Sequence, residues 1–268
     1  MSSFLALDGN NEGVETFGRV SAGSQTHAER VGDAFRRTVG QTGRDTLSVF
    51  EAVYQTKSTP LIFLFGENFD VADCAMNTLN GLMRLTSSQK IGGGGITFEK
   101  VSYFTDDGQK HYARMIKFAS LTGEKSDNFY KMRNNVVHEL GHLFQIAISA
   151  RGWPKGDTPY DKLSADMVSD RRLRRGTDSN QAYGFASPGY NLAWQQHSCY
   201  VDDLSEPYPP CILSGEIFAD QFLGWTYDAW ETRFNPITGR LELSTEAEVR
   251  SEWMNDNMYR WLNGLIEN

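Results

Sequence analysis

The segment 127–149 constrains the fold most, because it reads as an apolar helix that carries two histidines and a glutamate. His138 and His142 are four positions apart, which places their side chains one turn apart on one face of a helix. Glu139 lies about 100° around the same helix, next to the first histidine. The rest of the segment is rich in apolar residues, namely Val136, Val137, Leu140, Leu143, Phe144, Ile146 and Ala147. The sequence therefore predicts a packed helix that presents two imidazoles and a carboxylate to one site.

This HExxH spacing is typical of a catalytic zinc site. The two imidazoles bind Zn²⁺, and the carboxylate beside them is the general base for a zinc-bound water. The alternative is a helix with two solvated histidines and a surface glutamate. Because catalytic zinc needs three protein ligands and an open position, the first interpretation requires a third ligand from another part of the chain.

The best candidate for the third ligand lies on a second predicted helix, which opens at Ser214 and continues to about Trp230. Glu216 and Asp220 are four positions apart and therefore share one face of that helix. Glu216 can bind the metal, and Asp220 can accept the free N–H of a ligating histidine and so orient its ring. Large apolar residues surround the pair, which favours a buried setting over an ordinary solvated acidic stripe.

Other residues are weaker candidates for the metal. The extended motif HExxHxxGxxH is absent, because Gln145 and Ile148 stand where a glycine and a histidine are required. Among the remaining histidines, only His197 lies in a long predicted loop. The stretch Gly176–Gly184 is similar to a distorted GTxDxxYG string of the aspzincin peptidases, which makes Asp178 an alternative third ligand.

The combination of HExxH on one helix and Glu-x-x-x-Asp on a later helix resembles the gluzincins, the clan of thermolysin-like peptidases. The matching residues are His138, Glu139 and His142, followed by Glu216 and Asp220. The string from Glu216 to Phe222 is also similar to that of small metallopeptidases that cleave phage repressors. The resemblance covers a small share of the chain, and the interval from His142 to Glu216 is longer than in many gluzincins.

The resemblance implies an α+β, zincin-like metallopeptidase fold: a small mixed sheet with a backing helix and an active-site helix, then a mainly helical C-terminal lobe. We expect a flexible N-terminal arm at 1–26 and a single catalytic domain at 27–268, with an upper lobe at 27–150 and a lower lobe at 151–268. The long stretch 151–213 is expected to be irregular except for one helical piece around 163–175.

The remaining elements follow from apolar periodicity and turn residues. They are a helical region at 27–56 interrupted near 40–43, a strand at 60–66, a helix at 70–85, a flexible turn at 92–95, strands at 96–104 and 110–120 joined by a turn at 106–108, a turn at 235–239 and a last helix from about 245 almost to the end.

These inferences point to a zinc-dependent endopeptidase in which Glu139 activates the zinc-bound water and then delivers the proton to the leaving amine. A second donor should stabilise the oxyanion, and the sequence does not choose among its candidates, which are Tyr183, Tyr190, His197, Tyr200 and Tyr227. An extended peptide or protein substrate can pair with the edge of the strand at 110–120. The competing hypotheses are a non-catalytic binding or regulatory module on a zincin scaffold and a zinc hydrolase that acts on a non-peptide bond.

The amino-acid composition limits the classes of partner that this chain is expected to bind. A net charge of -8 and an isoelectric point near 5.2 argue against a nucleic-acid partner, which usually meets a basic face. No apolar run is long enough to span a bilayer, so no membrane partner is expected. No secretory signal is recognisable, so the cytoplasm is the default compartment. Without a CxxC pair, a thiolate zinc site is not expected, and Cys199 and Cys211 either bridge a proline-rich loop or remain free thiols.

Overall fold

The computed structural model describes ten stretches of the chain. They are residues 5–8, 29–41, 43–54, 61–65, 75–78, 81–85, 95–104, 108–118, 129–173 and 212–266.

Six strands of the described residues form one mixed sheet. The strands are β1 (Leu5–Asp8), β2 (Leu61–Phe65), β3 (Ala75–Thr78), β4 (Gly81–Leu85), β5 (Gly95–Phe104) and β6 (Lys110–Phe118). Their order in the sheet is β1-β2-β6-β5-β4-β3, with parallel pairing of β1 to β2 and of β2 to β6 and antiparallel pairing elsewhere. The strand β1 falls within the predicted flexible arm, so Leu5–Asp8 is a correction: this stretch is a strand paired with β2 in the sheet.

The predicted helix at 70–85 is wrong where the structure describes it. Ala75–Thr78 and Gly81–Leu85 are antiparallel strands, joined by a two-residue connection between the paired Thr78 and Gly81. A short apolar run fits helical and strand periods almost equally well, and long-range pairing then decides between them. Here Arg84 and Leu85 pair with Phe104 and Tyr103 of β5, which extends the sheet by one hairpin.

The strand β6 lies inside the sheet, between β2 and β5. This corrects the prediction that a substrate peptide pairs with an open edge of the strand at 110–120. It pairs with β5 along Lys110–Phe118 and with β2 along Arg114–Phe118. The backbone groups of that second stretch are therefore already used on both sides. The predicted hairpin between β5 and β6 is confirmed, because Phe104 pairs with Lys110 and Gly108 adopts a positive φ of 76°.

The described helices are α1 (29–38), α2 (Thr46–Tyr54), α3 (Phe129–Ala150), α4 (Pro159–Ser169), α5 (Ile212–Tyr227) and α6 (Thr245–Ile266). The helix α3 confirms the predicted helix at 127–149, and α6 confirms the last helix. The helical piece expected around 163–175 begins earlier, as α4, and is followed by a 3₁₀ turn at Arg171–Leu173. Between α5 and α6 the predicted turn is the tip of an exposed hairpin of β7 (Thr232–Asn235) and β8 (Arg240–Leu243). None of the described helices combines the length and the apolar character that a membrane span requires.

One aromatic-rich core joins the helices on both sides of residue 150. Phe35 of α1 packs against Phe144 of α3 and Phe222 of α5, with ring centroids 5.8 and 6.1 Å apart. Trp261 of α6 lies 6.2 Å from the ring of Phe144 and is fully buried. Because burial of each large apolar side chain contributes about 1.5–3 kcal/mol, this cluster holds α3 firmly against α5 and α6.

Candidate metal centre

The helix α3 brings its two histidines and glutamate together at one place. His138 and Glu139 are buried, with exposed fractions of 2% and 5%, and His142 is half-buried. Their possible ligand atoms, one per residue, lie within 4.8 Å of one another. A solvent-exposed polar face of the helix would leave all three side chains in contact with water. Buried polar groups are costly unless other groups compensate them, so this burial favours a functional site over two solvated histidines.

The spacing of the two imidazoles fits a metal ion. Nε2 of His138 and Nε2 of His142 are 3.1 Å apart. Two nitrogens at the usual Zn–N distance in a tetrahedral site are about 3.3 Å apart, so a shift of a few tenths of an ångström suffices to bind zinc. Both Nδ1 atoms already have hydrogen-bond partners on the opposite side of each ring. The pair of Nε2 atoms is thus the part of the rings that faces the possible metal position.

Asp220 of α5 fixes the ring of His138. The Asp220 Oδ1 lies 2.9 Å from Nδ1 of His138, and both side chains are almost wholly buried. A carboxylate at this place accepts the Nδ1–H and leaves the Nε2 lone pair for a metal. The structure therefore brings Asp220 to the position at which a carboxylate orients a ligating histidine.

Tyr160 of α4 contacts the second histidine in the same way. Its hydroxyl is hydrogen-bonded to Nδ1 of His142, and the two rings are perpendicular, with an interplanar angle of 88°. Each of the two imidazoles thus has its own partner, one from α5 and one from α4.

Thr97 of β5 holds the carboxylate of Glu139. The Thr97 hydroxyl lies 2.6 Å from Oε2 of Glu139 and 3.1 Å from the backbone carbonyl oxygen of the same residue. A hydroxyl that donates to a buried carboxylate restricts its rotamers and offsets part of its desolvation. The general-base candidate is therefore fixed by the sheet, whereas the imidazoles are fixed by helices.

Gly141 allows α3 and α5 to approach closely enough for these contacts. A Cβ atom on Gly141 would lie 2.9 Å from Cα of Ala219 and 3.1 Å from Cβ of Phe222. Real Cβ atoms do not approach backbone that closely, so only glycine fits here. The fourth residue of the HExxH motif is thus needed for packing against the helix that carries Asp220.

A buried tyrosine ties α3 to α2 behind the site. The Tyr54 hydroxyl donates to the backbone carbonyl of Leu140 at 3.0 Å, and burial raises the pKa of this phenol well above its usual value. The guanidinium of Arg114 on β6 donates to the backbone carbonyl of Tyr54 at 2.6 Å. Sheet, α2 and α3 are therefore linked by polar contacts directly beneath the motif.

Several predicted site residues lie wholly or partly outside what the structure describes. Glu216 is in the helix α5, one turn before Asp220, and its side chain is outside the described part of the chain. Asp178 is outside the described residues, as are the predicted oxyanion donors Tyr183, Tyr190, His197 and Tyr200, and so are Cys199 and Cys211. The remaining oxyanion candidate, Tyr227, is the last residue of α5 and packs against the hydrophobic core.

Sequence reasoning missed two residues of the site, Thr97 and Tyr160. Thr97 is an ordinary strand residue, and no spacing marks it as a partner of Glu139. Tyr160 follows Thr158 and Pro159, which is a recognisable helix start, yet nothing in that pattern shows that the phenol reaches His142.

Comparison of the chain with models of protein families, with curated proteins and with solved structures finds no match.

Proposed function

We propose that this chain is a zinc-dependent endopeptidase with a zincin-like fold. The observation that carries the proposal is the pair of imidazoles, one buried and one half-buried, with Nε2 atoms 3.1 Å apart and both Nδ1 atoms held by hydrogen bonds. A structural zinc site closes its coordination with four protein ligands and needs no acid beside it. Here Glu139, which is buried beside the pair, supports a catalytic site instead.

Glu216 is the proposed third zinc ligand. It precedes Asp220 by four residues on α5, and residues four apart share one helix face. Asp220 already contacts His138, so that face of α5 is turned to the site. The close packing at Gly141 keeps the two helices near enough for a carboxylate of α5 to reach the metal that His138 and His142 would hold.

Zinc, when bound, would supply a Lewis acid that polarises the substrate carbonyl and makes a water molecule more acidic. Glu139 then accepts the proton of the attacking water and transfers it to the amine that leaves. Thr97 keeps the carboxylate of Glu139 in one orientation during both transfers, because its hydroxyl donates to Oε2. The buried setting of Glu139 strengthens these interactions by excluding bulk water.

The proposed substrate is an extended peptide that pairs with the first part of β5. Among the described residues, β4 pairs with β5 only at Tyr103 and Phe104, whereas β6 pairs with Gly95–Phe98 on the other side. A peptide added along Gly95–Phe98 would form the backbone hydrogen bonds of one further strand. Thr97 is in this stretch and contacts Glu139, so a peptide bound there would lie next to the base.

The test is cleavage of casein and of a mixed peptide library by the full chain, with and without a zinc chelator. We expect chelator-sensitive cleavage by the native chain and loss of cleavage in Glu139→Gln, with the zinc content unchanged. Cleavage that survives in Glu139→Gln would remove the base assignment. A chain that binds zinc and cleaves nothing would instead favour a non-catalytic zincin scaffold.

The third ligand is tested separately by zinc content. We expect Glu216→Ala to lower the zinc that copurifies with the protein, and Asp178→Ala to leave it unchanged. If Asp178→Ala releases zinc and Glu216→Ala does not, the aspzincin-like interpretation replaces the proposed one.

A further inference from the structure

We infer that Tyr160 positions His142 for metal binding. Its hydroxyl can hydrogen-bond to that ring both without a metal, as a donor, and with a metal bound, as an acceptor. The inference rests on the proposed zinc site and adds a residue that the HExxH motif does not include. Its basis is the hydrogen bond between the Tyr160 hydroxyl and Nδ1 of His142. The phenol lies on the side of the ring opposite Nε2, so Tyr160 is a positioning residue and not a metal ligand.

Two other helices, α3 and α5, hold Tyr160 in place. Its backbone N–H donates to Oε1 of Gln145 on α3 at 2.9 Å. Its ring packs against α5, where a Cβ atom on Gly215 would lie only 3.2 Å from the ring, and its centroid is 5.9 Å from that of Phe218. The phenol is therefore anchored at its backbone and along its ring, which leaves its hydroxyl a fixed position beside His142.

The contacts of the two imidazoles fit one arrangement of ring protons in the metal-free chain. Where the Asp220 carboxylate accepts, Nδ1 of His138 donates to it, and Nε2 of the same ring is left as an acceptor. If the 3.1 Å contact between the Nε2 atoms is a hydrogen bond, its donor is then Nε2 of His142. Nδ1 of His142 has no proton in this arrangement, and it accepts the hydroxyl proton of Tyr160.

Metal binding reverses the role of the hydroxyl. An Nε2 atom that binds a cation cannot carry a proton, so the proton of the neutral His142 ring moves to Nδ1. The ring then donates, and the oxygen of Tyr160 accepts. A hydroxyl can do both, whereas an ionised carboxylate only accepts and would not fit the metal-free arrangement.

The charge of the site explains why a neutral partner suits His142. Glu139 and Asp220 are buried beside the imidazoles, and Glu216 is the proposed anionic ligand. These three carboxylates already exceed the charge of one divalent cation. A fourth carboxylate on His142 would add a buried anion without a counter-charge, which is costly, whereas the phenol orients the ring without adding charge.

The test compares Tyr160→Phe with the native chain and with Tyr259→Phe, which removes the same hydroxyl from an exposed position on α6. Phenylalanine keeps the ring that packs against Gly215 and Phe218. We expect Tyr160→Phe to bind Zn²⁺ about 10–100-fold more weakly in a chelator competition, as loss of such partners of ligating histidines usually does. We also expect a shift in the d–d absorption of the Co²⁺-loaded protein, and native behaviour from Tyr259→Phe.

The outcomes separate this inference from the proposed function. Native zinc affinity and an unshifted Co²⁺ spectrum in Tyr160→Phe would overturn the role of Tyr160 while leaving the metal site intact. A native chain that binds neither ion would refute the proposed function itself. If Tyr160→Phe lowers the melting temperature of the zinc-free protein, the Co²⁺ spectrum decides, because only folded, loaded molecules contribute to it.

Discussion

Substitution of Gly141 by alanine tests whether the close approach of α3 and α5 creates the site. The new Cβ would lie 2.9 Å from Cα of Ala219, which is backbone and cannot turn away. Carbon atoms in contact are normally about 3.5–4.0 Å apart, so the helices must separate by roughly 0.6–1 Å. The same shift would stretch the 2.9 Å contact between His138 and Asp220 to about 3.5 Å or more, at the limit of a hydrogen bond.

The expected magnitudes follow from two opposing effects on stability and one effect on the metal. Overpacking costs about 1–3 kcal/mol, and the better helix propensity of alanine returns about 1 kcal/mol. The net loss in the free energy of unfolding is then about 0–2 kcal/mol, or a few degrees in the melting temperature of a chain of this length. Loss of the carboxylate partner of His138 should weaken zinc binding about 10–100-fold.

The assay pairs thermal unfolding of the zinc-free chain with a zinc competition titration. Gly43→Ala is the matched control, because nothing lies within 4 Å of a Cβ there and its φ is not positive. We expect a large loss of zinc affinity together with a small loss of stability in Gly141→Ala, and neither in the control. If Gly141→Ala keeps native zinc affinity, the close packing of α3 and α5 does not position Asp220 and the reasoning is refuted.

Two further substitutions test the contacts beneath the motif. Tyr54→Phe removes the buried hydroxyl that donates to α3. It should lower the free energy of unfolding, measured by urea titration, by about 1 kcal/mol. An unchanged free energy of unfolding would show that this hydrogen bond makes no net contribution to stability. Thr97→Val keeps the shape of the side chain but removes the donor to Glu139. It should lower kcat by about tenfold, which is part of the roughly 10²–10⁴-fold rate enhancement that general-base catalysis contributes. The zinc content should not change. A native kcat would exclude a positioning role for Thr97.

Regular elements with a strong local signal could be predicted from the sequence. The helix α3 has an apolar face over many turns, and α6 has the same property, so both follow from periodicity alone. The hairpin of β5 and β6 follows from a turn with a glycine at positive φ. The structure of the segment 70–85 could not be predicted in this way, because its apolar positions fit both the helical and the strand period. Only pairing with β5 decided between helix and strand.

The candidate site shows the same division. The motif itself places His138, Glu139 and His142 together, since residues four apart always share a helix face. The sequence also suggested Asp220, through its spacing from Glu216 on a second apolar helix. It did not suggest that the sheet would supply Thr97, which is 42 residues from Glu139 along the chain.

By itself the amino-acid sequence determined the local geometry: an apolar helix with two imidazoles and a carboxylate, because helical spacing is set by neighbouring residues. Only the tertiary structure decided which groups hold those side chains. Asp220 meets His138 across 82 residues, and Tyr160 meets His142 across 18. Such contacts depend on how closely α3, α4 and α5 pack, which glycines at 141 and 215 permit and which no spacing along the chain encodes.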